Sequence, residues 1–141
     1  MDLKVKTTFS FPKLVREFPK IREKHMGRIA RSAEKGAKDA ISKGLKPPLK
    51  KSTIDMRKKR GTGGSKPLFE TGALFRSIKR SKGGLQMLNY GLEHHRGYTT
   101  ASDSMIPNKN VPARPFIQTD EKQILKSFDA FRKDLRKALR K

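Results

Sequence analysis

Asp120-Glu-Lys-Gln-Ile-Leu-Lys-Ser-Phe-Asp-Ala-Phe-Arg-Lys-Asp-Leu-Arg-Lys-Ala-Leu139 is the stretch from which the fold is best read. Asp120 suits a helix N-cap, because its carboxylate can accept from the free N–H groups of a first turn. Gln123, three residues on, completes a capping box. Ile124, Phe128, Phe131, Leu135, Ala138 and Leu139 then recur at steps of three and four. That spacing predicts an amphipathic helix of about 20 residues, with an apolar side that must lie on something else.

A candidate partner lies near the other end of the chain. From Pro19 onward Ile21, Ile29, Ala33, Ala37, Ala40 and Ile41 fall near one helical face, with Lys, Arg and Glu opposite. The stripe is rich in alanine, so this helix can approach a sheet or another helix closely. Gly44 and Pro47-Pro48 mark its end. Ser10 with Phe11-Pro12 reads as a separate helix start, and Pro19 predicts a break or restart. Gly27 and Gly36 weaken the helix, each by about 1 kcal/mol relative to alanine.

Strand signals lie at the start and in the middle. Residues 3–9 alternate apolar and polar, as a half-buried strand does. Segments 77–81 and 85–92 flank Lys82-Gly83-Gly84, the turn chemistry of a hairpin. Thr71 is placed to cap a short helix carrying Leu74, Phe75 and Ile78. The expectation is one α+β domain over residues 1–141, a small, mainly antiparallel sheet packed with the N-terminal and C-terminal helices. Hydrophobic residues make up 33% and charged residues 34% of the 141, so the core must be thin and is a candidate for completion by neighbouring copies.

Charge is the dominant compositional feature. Lys and Arg number 35 against 13 acids, a net charge of +22 that attracts nucleic acid, acidic protein or anionic surfaces. The excess concentrates in residues 43–66, where nine basic residues stand against Asp55 alone. Residues 45–66 read as a basic flexible loop, with two prolines, the run Arg57–Arg60 and a glycine-rich tail, and nothing to bury a face. Residues 97–112 read as a second irregular loop. Lys46, Lys50, Lys51, Arg57, Lys58, Lys59 and Arg60 are the candidate contact residues. They meet either DNA phosphates, in a salt-sensitive contact, or acidic protein, or they only keep the chain in solution; the sequence leaves these open. No aromatic residues interleave with them as a stacking platform requires, and no helix-turn-helix is evident.

Chemistry has little to stand on. There is no cysteine. His94 and His95 sit beside Glu93, but neighbours on a strand point to opposite faces, so no metal site is expected there. Gly61 to Lys66 fails the phosphate-loop pattern, because Pro67 follows the lysine. No nucleophile elbow or acid pair is present, so neither an enzyme nor a cofactor is expected. With no apolar run near the roughly 20 residues of a membrane span, and no apolar core of a secretory signal at its start, the expectation is a soluble protein made in a cytoplasm.

Four segments in order carry a resemblance. The first is Pro48-Leu49 with Ser52-Thr53 and the basic loop. Next is Pro67-Leu-Phe-Glu-Thr71-Gly72-Ala-Leu74-Phe-Arg-Ser-Ile78. Then come Tyr90-Gly-Leu-Glu-His94-His95-Arg-Gly97 and Val111-Pro112-Ala-Arg114-Pro115-Phe116-Ile117. Together they resemble the phage virion-morphogenesis and tail-completion family, which includes Mu-like and P2-like tail completion proteins, over about residues 47–140. Gly91 stands where that pattern has alanine, and His95 where it has glutamine. A related family of head–tail connector proteins shares the Thr-Gly-x-Leu and Pro-x-Arg-Pro-Phe signatures.

The resemblance implies a structural virion protein of a tailed bacteriophage. It would form a six-fold ring of identical subunits at the head–tail junction or tail top, as tail completion, terminator or neck protein. Its partners would be the tail tube, the head connector and genomic DNA in the channel. Thr71, Gly72, Leu74, Ile78, Tyr90, His94, Gly97, Pro112, Pro115 and Phe116 would be scaffold. Arg114, fixed between prolines, would pair with a carboxylate of its own or the next subunit. The rival expectation is a sequence-nonspecific nucleic-acid-binding protein, supported by charge alone.

Overall fold

The computed structural model describes residues 10–62, 64–82 and 84–140. The strand expected over residues 3–9, and Gly63 and Gly83 of the two glycine-bearing turns, lie outside them. The described chain is α+β. Its strands form two separate two-stranded antiparallel sheets rather than the single sheet expected.

Helix α1 runs from Phe11 to Lys43 without interruption. The break expected at Pro19 does not occur. A proline inside a helix leaves the carbonyl four residues back without its partner, here that of Val15. Val15 is exposed, so this stretch of α1 faces water rather than the core. Helix α5, Glu121–Leu139, also braces this half of α1. The two helices run antiparallel: Ser10 N–H donates to the Leu139 carbonyl at 3.1 Å, and Lys13 Nζ to that of Arg140 at 3.1 Å. Phe131 of α5 meets the rings of Phe18 and His25 edge-on. His25, buried on the stripe, contacts Asp134 through Nε2 at 3.0 Å, and Lys24 Nζ donates to the same oxygen at 2.8 Å. The Lys24 bond first, and then the His25 bond, hold the Asp134 carboxyl down at about 2. Asp120 caps α5 as read from the sequence, accepting from Lys122 N–H. Phe128, expected on the inner side, is instead exposed.

The second half of α1 builds the core. Ala37 and Ile41, with Leu45 just past the Gly44 cap, are buried with Leu74, Ile78 and Phe116. Small residues matter here. A Cβ on Gly36 would collide with the backbone carbonyl of Gln118, whereas one on Gly27 would meet nothing within 4 Å. Gly27→Ala is therefore expected to raise the unfolding free energy by about 1 kcal/mol, and Gly36→Ala to lower it. Urea unfolding of both variants checks the opposite signs. Equal effects at the two positions would contradict this packing.

Between the long helices lie short elements. Helix α2, Lys51–Lys59, occupies the middle of the segment expected to be a flexible loop, and Leu45 at its start is core. Helix α3, Ala73–Ser77, leads into a hairpin of β1, Lys79–Ser81, and β2, Gly84–Gln86, with Arg80 opposite Leu85. The second strand stops at Gln86, short of the 92 expected, and Tyr90–Arg96 form helix α4. Strands β3, Tyr98–Thr99, and β4, Asn110–Val111, pair across what was read as an irregular loop, leaving 100–109 as their connection.

A cationic cleft as candidate functional site

Helices α2, α3 and α4 and strand β4 surround a cleft of about 540 Å³. Leu49, Leu68 and Leu74 give it apolar walls, Pro47, Pro48 and Pro112 stiffen its sides, and Tyr90 and Tyr98 flank His94. Four cations, Lys50, Arg57, Lys109 and Arg114, line it against the single carboxylate of Glu70.

Arg57 ties α2 to the segment that follows it. It is the buried residue of α2, 8% exposed, and its Nη1 donates to the Lys66 carbonyl at 2.9 Å. Its Nε lies 3.4 Å from Glu70 Oε2, an ion pair without hydrogen-bond geometry. Glu70 also accepts from the Thr62 hydroxyl at 2.9 Å. The segment after α2 is thus folded back onto the helix by one guanidinium and one carboxylate.

Arg114 is equally buried. Its Nε donates to the Pro47 carbonyl at 3.0 Å. No carboxylate lies within ion-pair distance of it among the described residues. The expected pairing with an acid of its own subunit is therefore not made. Burial first, and then the nearby Arg57 charge, lower its pKa from the ordinary value. A guanidinium remains a cation regardless, so Arg114 is a charge short of a counter-charge.

His94 and His95 sit on α4, not on a strand, and face different surroundings. His94 contacts Tyr90 and Tyr98 edge-on, and its backbone carbonyl accepts from Arg114 N–H at 2.9 Å. Desolvation first, then Arg114, push its pKa below 6.5, against a smaller upward pull from Glu93. Its Nδ1 is buried without a partner. His95 is half-buried, and its Nδ1 accepts from Phe116 N–H at 3.2 Å and Ile117 N–H at 3.3 Å. His95→Gln keeps an acceptor for those donors and is expected to cost little. His95→Leu strands them and is expected to cost about 1–3 kcal/mol. Thermal unfolding of the pair checks this, and a leucine variant as stable as glutamine would rule out the acceptor role.

Thr71 and Gly72 start α3 at the cleft wall. Gly72 holds φ +71°, a backbone conformation in which any other side chain is strained; the nearest atom to a Cβ there, Arg76 Nη1, is the end of a flexible side chain that can move aside. Thr71 Oγ1 accepts from Ala73 N–H at 3.3 Å. Leu68, without glycine's freedom, holds φ +60° at the same wall, a local strain of the kind that concentrates at functional sites.

Comparison with protein-family models, with curated proteins and with solved structures finds no match for this chain. The site is therefore judged on its own residues. Of those singled out from sequence, Lys50, Arg57, Thr71, Gly72, Leu74, Tyr90, His94, Pro112 and Arg114 are brought together at the cleft. Ile78 and Phe116 form the core behind it, and Gly97, at φ +78°, ends α4 beside Ala113. Pro115 is exposed, as are Lys46, Lys51, Lys58, Lys59 and Arg60, which lie outside the cleft lining. The sequence reading missed Glu70, Tyr98 and Lys109. Glu70 had a signal, as the one acid between Asp55 and Glu93. Among the described residues no group of three His, Asp or Glu is placed to hold a metal ion, and no helix is long and apolar enough to cross a membrane.

Proposed function

We propose that this chain is a structural virion protein of a tailed bacteriophage, one subunit of a ring at the head–tail junction or tail top, needed for joining heads to tails. The observation that carries this reading is convergence. Thr71, Gly72 and Leu74, Tyr90 and His94, and Pro112 and Arg114 are far apart in the chain yet line one cleft. The segments that carry the family resemblance thus behave as one structural unit. The glutamine of the family pattern at position 95 would supply the acceptor that His95 supplies here.

A second support is surface composition. Phe11, Val15, Phe18, Leu125 and Phe128 are all more than 40% exposed on α1 and α5. Apolar exposure of this kind on a thin-cored chain favours packing against other subunits. Assembly, rather than chemistry, is then the mechanism: copies pack side by side, end or cap the tail tube, and offer a cationic surface to acidic neighbours or to DNA. The test neutralises Lys58, Lys59 and Arg60 to glutamine in the phage that carries the chain. Arg57, being buried, is left intact. Unjoined heads and tails are expected, and a normal infectious titre would count against the role of this surface.

Sequence-nonspecific nucleic-acid binding is the second reading, favoured by the exposure of Lys50, Lys51, Lys58, Lys59 and Arg60 along α2. A DNA mobility shift by the isolated subunit, weakening steeply with salt, together with absence from purified virions, would put this reading first.

A further inference from the structure

The connection between β3 and β4 is a braced loop with an apolar tip. Thr100 Oγ1 donates to the Ile106 carbonyl and accepts from Lys109 N–H at 2.8 Å, and Asn108 N–H returns to the Thr100 carbonyl at 3.1 Å. Held at its end are Met105, 102% exposed, and Ile106, 52% exposed, with Asp103 exposed two residues before Met105. A loop tied this firmly, with Met105 fully and Ile106 half exposed at its tip, has the form of a plug.

The cleft has the complementary chemistry. It offers the apolar walls of Leu49 and Leu68, and Arg114 in want of a carboxylate. Its volume of about 540 Å³ lies within the range of pockets that bury a ligand several side chains in size. We propose that the tip of loop 100–109 in one copy docks into the cleft of the next copy, with Met105 and Ile106 against the leucines and Asp103 toward Arg114. The inference rests on the ring reading and deepens it, because it names the contact from which the ring is built. The contact joins two different patches of the same chain. Such heterologous contacts propagate head to tail and close into rings when the rotation allows.

Another apolar groove, between α1, β2 and α4, is lined by Met26, Ile29, Leu85 and Leu92 and has no charged residue in its lining. Docking there would leave Asp103 without a partner. A rigid nucleic-acid duplex is a poor occupant of the cleft, since its guanidiniums lie almost wholly beneath the surface. A loop tip is narrow enough to reach them.

The test uses the full chain and two variants at exposed positions. One carries Met105→Asp with Ile106→Asp, and the other Tyr90→Glu, a cleft residue 40% exposed. Sedimentation should show wild type as an oligomer. Each variant alone should be a monomer, with self-association weakened roughly 100-fold or more, and an equal mixture should form a 1:1 dimer that cannot grow. That last result follows from a tip-to-cleft contact, because one intact tip then meets one intact cleft, and a wild type larger than a dimer makes the contact head-to-tail rather than reciprocal. Variants that assemble like wild type would overturn the tip-to-cleft contact and leave the ring reading standing. A tip variant that is monomeric while Tyr90→Glu assembles and Leu92→Asp does not would move the tip to the other groove, overturning the proposal. A wild type that stays monomeric at all concentrations would remove both. If either variant loses its circular dichroism, cysteine pairing decides. The chain has no cysteine of its own, so Met105→Cys and Tyr90→Cys chains mixed together should form a disulfide between copies, and its absence would overturn the contact.

Discussion

Phe116→Ala is expected to remove about 3–5 kcal/mol of stability, the largest loss of any single truncation in this chain. Phe116 is wholly buried among Ala37, Ile41, Leu45, Leu74 and Ile78, and its ring meets His95 edge-on at 5.4 Å. Alanine would leave a cavity in a core of six buried residues, with few neighbours free to collapse into it. Small domains are stable by about 5–15 kcal/mol in all, so the variant is expected to be partly unfolded at 37 °C. Urea titration followed by circular dichroism measures the loss. A change below about 1 kcal/mol would mean that the core does not centre on this ring.

Arg57→Ala is expected to be the costliest change among the basic residues, at about 2–3 kcal/mol after allowing for the partial exposure of Glu70. The loss would come from two carbonyls, of Lys66 and Gly64, left without their donor and from the stranded carboxylate. Lys58→Ala, on the exposed side of the same helix, is expected to fall within about 0.5 kcal/mol of wild type. Arg57→Lys separates charge from geometry. A lysine keeps the cation but has one nitrogen, and cannot place Nη1 on the carbonyls while Nε faces Glu70, so most of the loss should persist. Recovery of full stability with lysine would show that charge alone is at work. The comparison also guards the test of the basic surface, because a change at Arg57 would confuse assembly with folding.

The parts of this fold that were legible in sequence are those governed by apolar periodicity. Helix α5 was read with its Asp120 cap, and α1 with its Gly44 stop, because Ala37 and Ile41 repeat at helical spacing. Helix α2 was not, since the side it turns inward is a guanidinium. A scan for buried hydrophobic residues finds nothing between Lys51 and Lys59 to place against a core. The punctuation was there, however: Pro48 before it and Gly61 after it bracket a run without a breaker. The first residues of helix α4, 90–92, were taken for the end of a strand because segment 85–92 follows the turn chemistry of Lys82-Gly83-Gly84, and only Gly97 pointed to a helix end.

The cleft was visible in parts. Its residues were singled out one by one, but their meeting depends on turns at Gly72 and Gly97 that no local pattern specifies. Arg114 was read as fixed in place and as a partner for an acid of its own or the next subunit, and of these two pairings the one within the subunit is not made among the described residues. Its position is set instead by the Pro47 carbonyl, 67 residues away in sequence. Pro19 failed as a helix breaker because packing against α5 outweighs the one hydrogen bond it removes.

The unbroken course of α1 has a mechanical consequence. At 33 residues it is about 50 Å long, with one end seated in the core beside the cleft and the other laid along α5. A rod of that length is a lever: a tilt of a few degrees about its seated end swings the far end through several ångströms. Whatever rests against the α1–α5 pair is therefore geared to small adjustments near Ile41 and Phe116.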